Sequence, residues 1–283
     1  MSNFIISAFG DEIDMSLDVQ MEVLASHDIR FIELRGVDGK NVAVLTPEEA
    51  REIKRRLENN GFGVSCIGSP IGKIEIHDDF DKHLEVLKNL LEVTSILESR
   101  YIRMFSFYYP KEDGAELYKE EVISRIGIMT ELAKKSGMIL LHENEKDIYG
   151  DIPERCLDIL KEVDSPNIKA IFDPANFIQS SVTPYPYAFD LLKEYIVYVH
   201  IKDALMETGQ VVPSGCGDGN IRAMLAELKT DGFGGYLSIE PHLGMFDGLE
   251  KLQKDIDVMR IKKGGRDSFA VASDALKKIL DNI

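Results

Sequence analysis

Short apolar runs alternate with stretches of helical periodicity along this 283-residue chain, and that alternation constrains its fold most strongly. Strands are predicted at 4–9, 29–34, 63–67, 101–105, 138–143, 168–172, 196–203 and 236–240. Helical patterns occupy 17–27, 46–60, 80–98, 115–136, 152–163, a short piece ending near 194, and 221–229. A last helical region runs from 247 to the end, interrupted at Gly264 and Gly265. Local signals agree: Thr46-Pro47-Glu48-Glu49 supplies a cap, a first-turn proline and early acids, and Gly61 stands where a helix stops. Eight strand-helix units without a Pro/Ser-rich linker predict a parallel sheet closed into a (β/α)8 barrel, one domain over 1–283. An open doubly wound sheet is the alternative, but the chain has neither a GxGxxG turn after its first strand nor a GxxxxGK phosphate loop.

With 44% hydrophobic residues the chain can fill such a core. Its 33 basic and 49 acidic residues leave a formal charge of −16, which argues against a nucleic-acid or anionic-membrane surface. Cys66, Cys156 and Cys216 are odd in number and form no CxxC pair, as expected of free thiols in a reducing cytoplasm. The start, MSNFIISAFGDEID, lacks the basic and apolar segments of a secretion signal, and no apolar run approaches the ~20 residues of a membrane span. A soluble cytoplasmic protein is expected.

The chemistry gathers at the carboxyl ends of strands, where parallel barrels build their sites. In IVYVHIKD, Val197, Val199 and Ile201 face one way and Tyr198, His200 and Lys202 the other. The same phase argument brings inward Glu143 of LLHEN, Asp173 of IFDPAN and Glu240 of LSIEPH. Each alone reads more readily as a helix cap or an ion-pair partner. Four in phase on four consecutive strands converge on one point. Three carboxylates placed together repel and lose hydration, so they need a compensating cation or protonation. A divalent metal meets that need, and oxygen ligands with one imidazole favour Mn, Mg, Co or Zn. Such an ion suits the chelation of a substrate diol or ketol.

From IELRG through HEN, FDPAN, VHIKD and GCGDGN to SIEPH, the chain resembles the xylose-isomerase-like TIM barrels, which include sugar phosphate isomerases and epimerases, keto-sugar 3-epimerases and inosose dehydratases. The resemblance implies that Glu143, Asp173, His200 and Glu240 bind one divalent metal. It also implies that Glu143 and Glu240 act as acid and base on opposite faces of a carbohydrate substrate. At Asn176 the chain departs from the epimerases, which carry a substrate-binding His there. Carbohydrate metabolism through an isomerase or epimerase is the leading expectation, and an inosose-type dehydratase, a lyase, comes next. A DNA-repair endonuclease is opposed by the charge and by the small number of histidines at inner strand ends. A non-catalytic sugar-binding barrel is the last alternative. A small carbohydrate is the expected partner, with no nucleic acid or membrane, and a homodimer or homotetramer the expected assembly.

Further residues carry weaker signals. Lys202 shares the phase of His200 and would bind a substrate oxygen or polarise a carbonyl, unless a salt bridge to Asp173 or Glu240 occupies it. His242 shares the phase of Glu240 as a reserve ligand or substrate contact. Glu33 reaches the pocket floor as a substrate contact, or fills the barrel in an ion pair with Arg35. His142 is expected behind the barrel. Gly215-Cys216-Gly217-Asp218-Gly219 would cradle a phosphate or serve as a lid or tight turn. Phe107, Tyr108, Tyr109, Tyr185 and Tyr187 would wall a sugar site or pack their own loops.

Overall fold

The computed structural model describes residues 4–242 and 265–283. Eight parallel strands form a closed barrel: β1 (Ile5–Phe9), β2 (Phe31–Leu34), β3 (Gly63–Ile67), β4 (Tyr101–Met104), β5 (Ile139–Glu143), β6 (Ile168–Phe172), β7 (Ile196–Ile201) and β8 (Tyr236–Ile239). Each pairs with its neighbours in sequence, and β1 pairs with β8 to close the ring. All eight predicted strands are present, most within a residue or two of their expected ends. The barrel is the predicted fold, and the open sheet is set aside.

The helices follow the same local logic. They are α1 (Leu17–Ser26), α2 (Pro47–Asn59), α3 (Phe80–Ile96), α4 (Lys119–Lys135), α5 (Pro153–Val163), α6 (Pro174–Gln179), α7 (Phe189–Leu192), α8 (Ile221–Thr230) and α9 (Arg266–Leu280). Helix α2 starts with the Thr46–Glu49 capping box and proline at its first position, then ends before Gly61 at φ +69°. The predicted helix from 115 splits into a 3-10 turn, Ala115–Tyr118, and α4. Of the predicted C-terminal helical region, 247–264 lies outside the described residues and α9 is the part seen. No helix among the described residues is long and apolar enough to cross a membrane.

The two faces of the strands differ as period-two alternation requires. Val199, Ile201, Phe172 and Leu140 pack outward in the main core beneath the helices. Inside the bore, Cys66, Ile139, Leu141, Ile171 and Tyr198 form a separate apolar plug. Beside it Ser65 is hydrogen-bonded to Ser7 and to the Tyr198 hydroxyl. A filled bore leaves one open end, the carboxyl end, for polar groups. There β8 sets Ser238 opposite His200, so Glu240 emerges next to Lys202.

Candidate metal centre

At that end the side chains of four consecutive strands converge. One ligand atom from each of Glu143, Asp173, His200 and Glu240 lies within 4.8 Å of all the others, and all four residues are buried. His200 Nδ1 is 2.9 Å from Glu143 Oε1, 3.6 Å from Asp173 Oδ2 and 3.7 Å from Glu240 Oε2. The imidazole thus points at all three carboxylates. Its other nitrogen, Nε2, stands 3.2 Å from Glu33 Oε2.

Each carboxylate is held by a different device. Asp173 caps α6: its Oδ1 accepts the Asn176 amide at 2.9 Å, which leaves Oδ2 facing the cluster. Asn144 pins the ends of β5 and β6 together, donating to the Asp173 carbonyl and accepting the Asp173 amide, both at 2.9 Å. Glu143 Oε2 accepts from Arg103 at 3.2 Å, and Asn176 Nδ2 donates to Glu143 Oε1 at 3.2 Å. Glu240 Oε1 faces Arg35 NH1 at 3.4 Å and His242 Nδ1 at 3.6 Å. Lys202 Nζ bridges Asp173 Oδ2 at 2.8 Å and Glu240 Oε2 at 2.9 Å.

These placements sort the weaker sequence signals. Lys202 makes both of the salt bridges considered for it. Asn176 lies in the cluster, holding Glu143. Glu33 does not pair with Arg35; it meets His200, while Arg35 binds Asp11, Glu12 and Glu240. His242 joins Glu12 and Glu240 in a second group with metal-ligand spacing. His142 is buried behind the barrel, as expected. The glycine loop is not an open phosphate cradle, because the Asp203 carboxylate takes the amides of Ala204, Gly215, Gly217 and Gly219 at 2.8–3.0 Å. Phe107 packs on Phe80 and His83, and Tyr109 on Tyr118. Tyr185 stacks on Phe189 and donates to Glu227, and Tyr187 is half exposed with its hydroxyl on Glu154. Sequence reasoning missed Arg103, Asn144, Asp203 and the Asp11–Glu12 pair. Arg103 shares its inner phase with Tyr101 on β4, a signal that extending the phase argument to β4 would have caught.

The electrostatics follow from burial opposed by charge. Burial by itself raises a carboxyl pKa, but His200 and Arg103 hold Glu143 down at about 2. Burial likewise works against ionisation of Glu240, and Lys202, His242 and His200 overcome it and keep its pKa well below the usual carboxylate range. For His200, burial disfavours the cation, yet Glu143 and Glu33 raise its pKa well above the ordinary value. Lys202 is pulled down by burial and lifted well above its ordinary value by Asp173 and Glu240. Glu143 and Glu240 are therefore held ionised by the cationic side chains beside them.

The donor set fits a divalent metal. Three carboxylates and an imidazole converge, Asp173 and Glu240 each turn one oxygen inward, and Glu33 accepts at Nε2, which fixes the ring with Nδ1 toward the other donors.

The profile of the xylose isomerase-like TIM barrel family matches residues 21–262. A 3-dehydroshikimate dehydratase of Bacillus anthracis is 25% identical over 172 residues, 61% of each chain. A 2-epi-5-epi-valiolone 7-phosphate 2-epimerase of Actinoplanes sp. is 29% identical over 98 residues, 35% of this chain and 34% of that one. The match thus spans about three fifths of the first relative's length and one third of the second's. In structure, the xylose isomerase domain protein of Planctomyces limnophilus superimposes with a TM-score of 0.74 over 99% of both chains at 20% identity. With its closed eight-stranded barrel and a profile match over most of its length, this chain belongs to the xylose isomerase-like TIM barrel family.

Proposed function

We propose that this protein is a divalent-metal-dependent isomerase or epimerase of a keto-sugar or sugar phosphate. The observation that carries the reading is the convergence of Glu143, Asp173, His200 and Glu240 within 4.8 Å at the mouth of the barrel. When bound there, a divalent ion polarises a carbonyl and its neighbouring hydroxyl and so acidifies the adjacent C–H. The chain's own groups do the rest. Glu143 and Glu240 enter from β5 and β8, on either side of Asp173 and His200, so two carboxylates flank the bound ketol. One, as the carboxylate, takes the proton from the carbon next to the carbonyl, and the other, once it has taken up a proton from solvent, returns one. Return to the opposite face of the same carbon inverts it, and return to the neighbouring carbon moves the carbonyl. Arg103 and Asn176 hold Glu143 in place, and Arg35 and His242 hold Glu240. Lys202, charged and 2.9 Å from Glu240, binds a substrate oxygen from the same wall.

A dehydratase is the second reading, favoured by the longer of the two matches to curated relatives, a 3-dehydroshikimate dehydratase. There the first proton abstraction is the same, and Lys202 supplies a proton to the departing β-hydroxyl.

The test is incubation of the metal-loaded protein with a panel of ketoses, ketose phosphates and inososes in deuterated water, read by NMR and ultraviolet absorption. Deuterium entering next to the carbonyl with water retained supports the isomerase or epimerase. A new enone absorption identifies the lyase. No exchange and no product across the panel would overturn both. Replacing His200 or Glu240 by Ala is expected to abolish metal binding and turnover in a barrel that still folds, checked by metal analysis and circular dichroism.

A further inference from the structure

We infer that Lys202 is the resident cation of the cluster, which must yield Asp173 and Glu240 to an incoming divalent ion, so that this lysine limits how tightly the metal is held. The inference rests on the metal-site reading above. Lys202 Nζ lies 2.8 Å from Asp173 Oδ2 and 2.9 Å from Glu240 Oε2. Those same two oxygens stand 3.6 and 3.7 Å from His200 Nδ1. Ammonium and ligand nitrogen therefore share one pair of acceptors.

The remaining oxygens offer no alternative. Asp173 Oδ1 is spent on the first turn of α6, and Glu240 Oε1 faces Arg35 and His242. An ion drawing on these two residues has to use the oxygens that Lys202 holds. The other basic side chains around the mouth are anchored differently. Arg103 reaches only Glu143 of the four ligands and is tied to the Gly68 carbonyl, Arg35 is clamped by Asp11 and Glu12, and Lys73 pairs with Glu145. Among the described residues, Lys202 is the lysine or arginine whose ion-pair partners both belong to the ligand set.

Two consequences follow. Lying between Asp173 and Glu240, the Lys202 ammonium offsets the repulsion between these two buried carboxylates. An ion that took both oxygens would deprive the ammonium of both partners; Lys202 is 6% exposed in this structure, and a substrate oxygen would serve as its new acceptor. Metal loading thereby makes Lys202 available to the substrate, and the two events are coupled through one side chain.

Titration calorimetry of the full chain with Mn²⁺ alone tests this. Wild type, Lys202→Met and His200→Ala are compared, each stripped of metal first. Lys202→Met is expected to bind Mn²⁺ roughly tenfold or more tightly than wild type, because a competing unit charge is gone from contact distance, and His200→Ala is expected to show no binding. If wild type binds and Lys202→Met binds equally or more weakly, the inference is overturned while the metal site stands. If neither wild type nor Lys202→Met binds, both fall. Should Lys202→Met fail to fold without metal, Lys202→Gln, which removes the charge and keeps an N–H donor, is titrated with the same expectations.

Discussion

Asp203 shows how much a single side chain can organise. Its carboxylate, fully buried, accepts from four backbone amides, three of them glycines of the loop that a sequence reading offers to a phosphate. The glycines are needed for that approach: a Cβ at Gly217 would lie 2.4 Å from the Ala204 carbonyl oxygen and from Asp203 Oδ1. Asp203→Asn turns an acceptor into an amide whose N–H₂ faces donors, and is expected to cost roughly 2–3 kcal/mol. Urea unfolding measures it, and an unchanged midpoint would refute the anchoring role. Glu33 acts one step behind the candidate ligands. Its carboxylate sits 3.2 Å from His200 Nε2, so Glu33→Ala frees the ring to turn and should weaken metal affinity about 10–100-fold. Titration with Mn²⁺ reads that directly; wild-type affinity in the variant would sink it.

At the scale of elements, α3 is tied to the loop after β3 by one imidazole. His83 Nε2 accepts the Gly72 amide at 2.8 Å, and Gly72, at φ +85°, leaves no room for a Cβ against the Phe105 carbonyl. Burial and the nearby Arg125 push the His83 pKa from 6.5 down to about 4, with Asp78 opposing. The unfolded chain therefore takes up the proton first. The stability His83 contributes is complete above pH 6.5 and is lost as the pH falls toward 4. Relative to His83→Gln, wild type should lose stability over that window, measured as the difference in unfolding midpoint at pH 7 and pH 4.5. Parallel curves would rule it out. The capping box on α2 makes a simpler case: Thr46→Ala should cost about 1 kcal/mol, because it strips the acceptor from the Glu49 amide.

These elements also show how far local signals reach. The cap, the proline and Gly61 of α2 are visible in a single window, and the helix has the predicted limits within a residue. The 3-10 turn before α4 is not visible, because 115–118 carries the same apolar spacing as the helix it leads into. The phase of Glu143, Asp173, His200 and Glu240 is equally local, and it places all four correctly at one end of the barrel.

Across the whole molecule, the candidate metal centre is the point where barrel closure concentrates charge. Because the ion would bind only the folded arrangement, Mn²⁺ at about 100 times its Kd should stabilise the chain by about 2.7 kcal/mol. A thermal scan with and without the ion, reversed by a chelator, checks it; an unshifted transition in wild type would count against the site. The amino-acid sequence by itself determined the barrel and the inward face of its carboxyl end, since strand alternation, helix periodicity and capping depend on residues a few positions apart. Only the tertiary structure decided which charges answer one another: Arg35 with Asp11, Glu12 and Glu240, Arg103 with Glu143, Glu33 with His200, and Lys202 between Asp173 and Glu240. Two of these pairs, Arg35 with Glu240 and Glu33 with His200, are more than 100 residues apart. Charge pairing depends on distance in space, and closing β1 against β8 is what brings Asp11 and Glu12 from the first strand's end toward Glu240 on the last.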